Sequence, residues 1–378
     1  MEFHDLSAQY QALKAEIDAG ISEVIQKGHF ILGRQVAELE RALADDVGRA
    51  YCVTCGNGTD ALVLALTLWD IGPGDAVFVP DFTYFASAGC ASSLGAEIVP
   101  VDIDLATFNI DPDALEAEIR RTLSEGRLRP RAVIPVDLFG LPADFPRIDA
   151  IARRYGLLVL EDAAQGYGGQ IQSRRACSFG DAAVTSFFPA KPLGCYGDGG
   201  AVFVDRLEQD ALLRSLRANG RSAADKYDNQ RIGMNSRLDT IQAAVLLPKL
   251  SALRRYELDA LNAAAARYSK ALAGTVAVPL VPEGFRSSWA QYSILLESSA
   301  QRDAAQAALR ARGIPSMIYY PRAIHQQTAY ADRRFPRERY LNALSACDRV
   351  LSLPMHPYLS EADTDRVSGA LLHFLRGE

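Results

Sequence analysis

Lysine is scarce in this chain. Only six of its 40 basic residues are lysines, at positions 14, 27, 191, 226, 249 and 270, so chemistry that needs a deprotonatable amine has few candidates. There is no Lys/Arg run, and 46 acidic residues leave a net charge of −6, which argues against a nucleic-acid partner. No uncharged stretch approaches the ~20 residues that a membrane-spanning helix needs. The N-terminus, Met1-Glu2-Phe3-His4-Asp5, lacks the cationic-then-apolar layout of a signal peptide. A cytoplasmic protein without a membrane partner is the expectation. Cysteine and histidine are sparse too, six and five residues. Cys52 and Cys55 form one CxxC, but no second pair follows at zinc-site spacing and no HExxH occurs, so no metal is expected. In a strand over 51–55 those two thiols would face opposite sides.

What the chain does have is a patterned apolar fraction, 49% of 378 residues. Leu6, Tyr10, Leu13, Ile17, Ile21 and Val24 recur at three- and four-residue spacings and predict a helix to Lys27, stopped by Gly28. From about residue 50 the pattern alternates. Strands are predicted at 51–55, 75–80, 97–102, 132–137, 157–161, 182–187 and 201–204, with helices such as 59–69, 111–123 and 146–155 between them. That alternation predicts an α/β fold with a mainly parallel sheet covered on both faces, whose ligands bind beyond the carboxyl ends of the strands. A long helix over 236–272, interrupted near Pro248, would lead to a smaller α+β part with strands 290–297 and 316–320 and helices 301–312 and 361–375. Two domains are expected, 1–250 and 251–378, with 333–339 an exposed charged loop.

Three motifs carry chemistry. Gly56-Asn57-Gly58-Thr59-Asp60 is a small turn between a strand and a helix, either a tight connection or a phosphate cradle at a helix N-terminus. It is neither a GxxxxGK[ST] loop nor a GxGxxG fingerprint. Glu161-Asp162-Ala163-Ala164-Gln165 ends an apolar strand; Asp162 would either cap a following helix or face a protonated heterocyclic nitrogen. Ser186-Phe187-Phe188-Pro189-Ala190-Lys191 puts the only lysine in a Pro/Gly-punctuated turn after a core strand. An amine in a partly dry site loses its proton more easily and condenses with an aldehyde; the plain alternative is a surface loop lysine. Together these are the handles that pyridoxal 5′-phosphate requires, and Tyr84 would stack on its ring.

With these residues, and with Gly197-Asp198-Gly199-Gly200-Ala201, Asn235-Ser236-Arg237-Leu238-Asp239 and Leu353-Pro354-Met355-His356-Pro357, the chain resembles the DegT/DnrJ/EryC1/StrS family of sugar-nucleotide aminotransferases almost end to end. The resemblance implies a PLP-dependent transferase fold of type I, like aspartate aminotransferase, with a large cofactor domain and a small C-terminal one. It implies that Lys191 carries the cofactor and moves the proton. Asp162 would pair with the ring nitrogen, Gln165 with the phenolic oxygen, and Ser186 with the backbone of Gly58 and Thr59 would hold the phosphate. Asn235 would reach the phosphate from the neighbouring subunit of a homodimer. Ser236 and Asp239 also read as a capping box.

Within the family, Thr185 to Gly200 and Leu246-Leu247-Pro248-Lys249-Leu250 are similar to members that aminate C3 of UDP-2-acetamido-2-deoxy-3-oxo-glucuronate for bacterial surface polysaccharide. Glutamate is the expected amino donor. Arg237 would suit the uronate carboxylate, or is a surface arginine at a helix start. Tyr319, before Tyr320-Pro321, stands where relatives usually carry His, and a phenol brings no positive charge; His325, near the matching loop, either compensates or is an ordinary loop residue. A dTDP-linked keto-deoxyhexose aminated at C3 or C4 is the alternative substrate, and a cofactor-free binding or regulatory paralogue the alternative of another class.

Overall fold

The computed structural model describes residues 1–225, 227–331 and 335–377. Lys226, Arg333 and Arg334 lie outside the described residues; the rest of the 333–339 stretch holds one 3₁₀ turn, Arg337–Arg339, with Arg337 and Glu338 exposed.

Seven strands build the central sheet: β1 (Tyr51–Cys55), β2 (Asp75–Pro80), β3 (Glu97–Val101), β4 (Arg129–Val133), β5 (Leu158–Asp162), β6 (Ala182–Ser186) and β7 (Gly200–Val204). Their spatial order is β1-β7-β6-β5-β4-β2-β3. β3, β2, β4, β5 and β6 run parallel; β7 pairs antiparallel with both β6 and β1. Burial on both faces explains the uninterrupted apolar runs: on β2, Val77 and Val79 join one core cluster and Ala76 and Phe78 another. The same alternation separates Cys52 from Cys55, whose side chains enter different clusters. All six cysteines are free and buried, and burial pushes the Cys55 thiol up to about 12.

The Leu6–Lys27 helix has its predicted bounds: Asp5 caps it by accepting from Ala8 N–H at 2.8 Å, and Gly28 closes it in the left-handed region at φ 69°. Other expectations shift. The fourth strand spans 129–133 rather than 132–137, because beyond Val133 the pairing becomes irregular, with Ile134 N–H donating to Phe78 O and Val136 forming an isolated bridge to Asp162. The long helix begins at Thr240, not 236, since Asn235 and Asp239 are engaged in bridges to Ala218 and Ile31. It tolerates Pro248 in its interior and breaks later, at a wide π turn over Leu253–Glu257, before continuing as Leu258–Leu272. In the C-terminal part, β8 (Tyr292–Leu295) pairs antiparallel with β9 (Val350–Leu353). The predicted strand at 316–320 reduces to a single bridge between Met317 and Ser352, after which the chain turns toward the carboxyl ends of β4 and β5. The helices Ser299–Ala311 and Glu361–Leu375 pack over this small sheet through Leu309, Val367 and Leu371.

Candidate active site

The carboxyl ends of β5 and β6 and the start of the Gly58–Leu68 helix open onto one cavity of about 380 Å³. Gly58, Thr59, Tyr84, Asp162 and Gln165 line it, as do Ser186, Lys191, Tyr319 and Tyr320.

One end is built to hold an anion. After β1 the chain turns through Gly56 and Asn57, whose Oδ1 accepts from Asp60 N–H at 2.8 Å. The Gly58 and Thr59 N–H groups, first in the helix, have no acceptor within it, and the helix dipole adds positive potential where they point. Position 58 must be glycine: a Cβ there would stand 2.7 Å from Ser186 Cβ. That close approach is what brings the Ser186 hydroxyl beside the helix N-terminus. Ser236 belongs to this assembly rather than to a capping box. Its hydroxyl donates to Asp60 at 2.6 Å and accepts from Gly56 N–H at 2.9 Å, and the following helix is entered at Asp239 without a side-chain cap.

Asp162, which also lines the cavity, ends β5. No helix follows it, so the capping alternative falls; its Oδ1 accepts from Ala164 N–H at 3.1 Å in a turn, and its Oδ2 accepts from the Ser87 hydroxyl at 2.8 Å. Burial pushes its carboxyl up, while the Ser87 and Ala164 hydrogen bonds and the Lys191 charge pull it back down. Gln165 is oriented by Phe139 N–H, which donates to its Oε1 at 2.7 Å; its amide nitrogen then donates to Tyr320 Oη at 3.0 Å and keeps a second proton for the cavity. Tyr84, 57% exposed, stands 6.1 Å from the Tyr320 ring.

Lys191 sits on a loop tied at both ends: Cys195 N–H donates to Phe187 O and Phe187 N–H to Gly199 O, each at 2.8 Å. Beneath the loop the buried Lys249 donates to Gly194 O at 2.7 Å, with its ammonium 4.3 Å from the Tyr196 ring centroid. Burial lowers the Lys191 ammonium to about 8, against the raising effect of Asp162. Lys249 is lowered to about 8 as well, again by burial, so two of the six lysines are depressed. Of these two, Lys191 lines the cavity.

Three singled-out residues are not brought to this cavity. Asn235 is exposed and Arg237 half-buried, both on the segment before the Thr240–Ala252 helix. His325 faces the other way: its Nδ1 lies 2.6 Å from Asp81 Oδ2, its N–H donates to Asp81 Oδ1 at 2.9 Å, and its ring stacks on Tyr340. The imidazole therefore pins the loop after Tyr320 to the end of β2 rather than compensating for Tyr319. His325→Leu is expected to destabilise the fold by about 3 kcal/mol, the cost of leaving Asp81 buried without its partner, read as a lowered urea midpoint with an unchanged slope. Sequence reasoning missed Ser87, His4 and Gln291, which also line the cavity; no local pattern marks them, since each enters from a distant segment.

A family model described as the DegT/DnrJ/EryC1/StrS aminotransferase family matches residues 11–372. A UDP-2-acetamido-2-deoxy-3-oxo-D-glucuronate aminotransferase from Pseudomonas aeruginosa is 43% identical over 98% of this chain and 99% of its own length. A UDP-N-acetyl-3-dehydro-alpha-D-glucosamine 3-aminotransferase from Acidithiobacillus ferrooxidans is 40% identical over 99% of this chain and 97% of its own. Among solved structures, a DegT DnrJ EryC1 StrS aminotransferase from Brucella abortus superposes with a TM-score of 0.96 at 50% identity, covering 99% of both chains.

Proposed function

The chain belongs to the DegT/DnrJ/EryC1/StrS aminotransferase family, and from that membership we propose that it transfers an amino group from an amino acid, glutamate the expected donor, to C3 of UDP-2-acetamido-2-deoxy-3-oxo-glucuronate. It is an aminotransferase that uses pyridoxal 5′-phosphate, in the type I fold expected from its sequence. The observation that carries the site assignment is the convergence of Lys191 and Asp162 on one cavity that the N-terminus of the Gly58–Leu68 helix also lines.

These residues fit the cofactor. The Gly58 and Thr59 N–H groups and the Ser186 hydroxyl would hold its phosphate, Asp162 the ring nitrogen, Gln165 the phenolic oxygen, and Tyr84 the ring face. When bound, pyridoxal 5′-phosphate supplies an aldehyde that carries the amino group and a ring that accepts electron density from the adjacent carbon. Asp162 holds a proton at the ring nitrogen, its carboxylate kept in place by Ser87 and Ala164. Lys191 Nζ, unprotonated near neutral pH more readily than an ordinary lysine, takes the proton from the donor's α-carbon and returns it elsewhere on the same face. The same Nζ reverses these transfers for the keto-sugar. Tyr319 and Tyr320 wall the substrate end without a charge.

The exposure of Asn235 and of the apolar side chains beside it supports a homodimer with shared sites. Exposed Phe30, Ile31 and Leu32 lie beside that segment, through the Ile31–Asp239 bridge and the Thr240 N–H to Phe30 O bond, and Ile232 is 94% exposed. In this reading the two polar residues complete the partner's site, Asn235 at the phosphate and Arg237 at the uronate carboxylate. Residues 251–378 would form the small domain, and the enzyme would act in the cytoplasm on a precursor of surface polysaccharide such as O-antigen. Among the described residues no helix is long and apolar enough to cross a membrane.

The uncharged Tyr319 favours a second reading, a dTDP-linked keto-deoxyhexose without a carboxylate. Single turnover of the pyridoxamine form against both keto-sugar nucleotides decides: reaction with the uronate at least about tenfold faster, a 1.4 kcal/mol preference, is expected, and the reverse order would replace it with the dTDP sugar.

A further inference from the structure

We propose that Lys249 is a positioning residue for Lys191: from the buried face of the Thr240–Ala252 helix it holds Gly194 O, and through it the turn that carries Lys191, in the place from which the Lys191 amine moves its proton. Among the described residues Lys191 Nζ makes no hydrogen bond, so the backbone of its loop decides where the amine stands. Lys191 N–H donates to Phe188 O at 2.8 Å and closes a turn over Phe188–Lys191. Gly194 lies directly against that turn: a Cβ at 194 would stand 2.7 Å from the Pro189 carbonyl carbon and 2.8 Å from Phe188 O. The Lys249 ammonium donates to Gly194 O at 2.7 Å. One hydrogen bond and one close backbone contact therefore join Lys249 to the turn that ends in Lys191. The same helix grips the loop a second time, two turns earlier on the same face. Tyr196 N–H donates to Gln242 Oε1 at 2.8 Å, and Gln242 Nε2 donates to Tyr196 O at 3.3 Å. Leu13 and Ile17 of the Leu6–Lys27 helix back this one through Val245 and Ala252, so the loop is docked on a supported element.

A lysine is a costly residue for this place. Lys249 is 1% exposed, and among the described residues no carboxylate is hydrogen-bonded to it. Glu257 attracts it from a distance, but that carboxylate already accepts from Gln9 Nε2 at 3.0 Å and from Tyr358 Oη at 2.7 Å. Besides Gly194 O, the ammonium meets only the Tyr196 ring, 4.3 Å from its centroid. Burial accordingly holds it down at about 8. A methionine would fill the same space without desolvating a charge, so the fold gains little from a lysine here. What the lysine alone supplies is a charge-assisted hydrogen bond to Gly194 O, roughly twice as strong as a neutral one. Displacing a reacting group by about 1 Å costs about 10²-fold in rate, and that is the loss Lys249 prevents at Lys191.

This inference rests on reading Lys191 as the amine that moves the proton, and the test separates the two. Lys249→Met is compared with the unaltered full-length chain, first without cofactor. Hydrogen exchange of the peptides over Phe187–Tyr196, read by mass spectrometry, is expected to quicken by about tenfold, the size of one lost hydrogen bond, with Tm not lowered. The loaded forms are then mixed with glutamate carrying hydrogen or deuterium at its α-carbon. The phase that shows the isotope effect is expected to slow by about 10- to 10²-fold, while the glutamate concentration giving half the maximal rate stays the same. Gln242→Met, which removes the other grip, is expected to act in the same direction and carries the test if Lys249→Met does not fold. Loop peptides that exchange at the unaltered rate, or a proton-transfer phase within about threefold of the unaltered one, overturn the inference; a lowered Tm beside an unaltered phase makes the bond merely structural and overturns it too. A Lys191→Ala chain that reacts at the unaltered rate instead overturns the reading of Lys191, and the inference with it.

Discussion

Lys191→Ala is expected to abolish turnover, lowering kcat by about 10⁴-fold or more, the upper end of what a positioned acid–base group contributes, because in the proposed function the same residue also anchors the cofactor. Its Nζ is the one amine lining the cavity among the described residues. Burial has moved it from 10.5 to about 8, which multiplies the fraction of free amine at neutral pH by more than about a hundredfold. Lys249, depressed as far, cannot substitute, since its ammonium is spent on Gly194 O beneath the loop. The variant should fold: an alanine removes a desolvated amine that accepts or donates no hydrogen bond in the described structure. Borohydride reduction followed by mass spectrometry checks both halves. The unaltered chain should gain the covalent cofactor adduct and Lys191→Ala should not, while their circular dichroism spectra agree. An adduct that persists in the variant would move the assignment to another amine.

Asp162→Asn is expected to lower kcat by about 10- to 10³-fold, since a carboxylate beside a cation shifts its proton affinity by one to three units and each unit is tenfold in population. Asparagine keeps the shape, the Ala164 N–H contact and a partner for Ser87, so the change isolates charge. Cofactor capture by Lys191 should survive in this variant, which distinguishes it from Lys191→Ala. Stopped-flow half-reactions with the amino donor give the test: a loss confined to the proton-transfer phase fits the charge role, and an unimpaired phase would remove it.

How much of this was legible in the sequence depended on where the determining neighbours lie. Lys191 follows one strong apolar strand and Asp162 ends another, at the edge where this class of sheet binds ligands, and so local pattern sufficed to single them out. The Leu6–Lys27 helix was legible to the residue because its cap and its stop, Asp5 and Gly28, are both local. Ser87 was not, because its partner Asp162 is 75 residues away and a serine near a helix start carries no pattern of its own. His325 misled for the same reason. Its position near Tyr319 suggested the substrate, but Asp81, 244 residues distant, claims the ring. The strand expected at 316–320 had a suitable apolar composition, yet tertiary packing allowed it only the Met317–Ser352 bridge, and its last two residues serve the cavity instead. Ser236 matched a capping box by spacing and was drawn away by Gly56 and Asp60.

The two depressed lysines also bear on how the fold responds to alkali. A lysine at about 8 in the folded chain and 10.5 when unfolded leaves the unfolded state holding more protons between those values, so stability rises with pH across that window and the penalty is complete below it. With the cofactor on Lys191 that residue no longer titrates as a free amine, and Lys249 alone supplies the effect. The difference in proton uptake on unfolding between the cofactor-free and loaded forms is then about one proton per chain near pH 9. Cofactor affinity and alkaline stability are thereby linked through a single titrating nitrogen, and the ambient pH sets how strongly the loaded form is preferred.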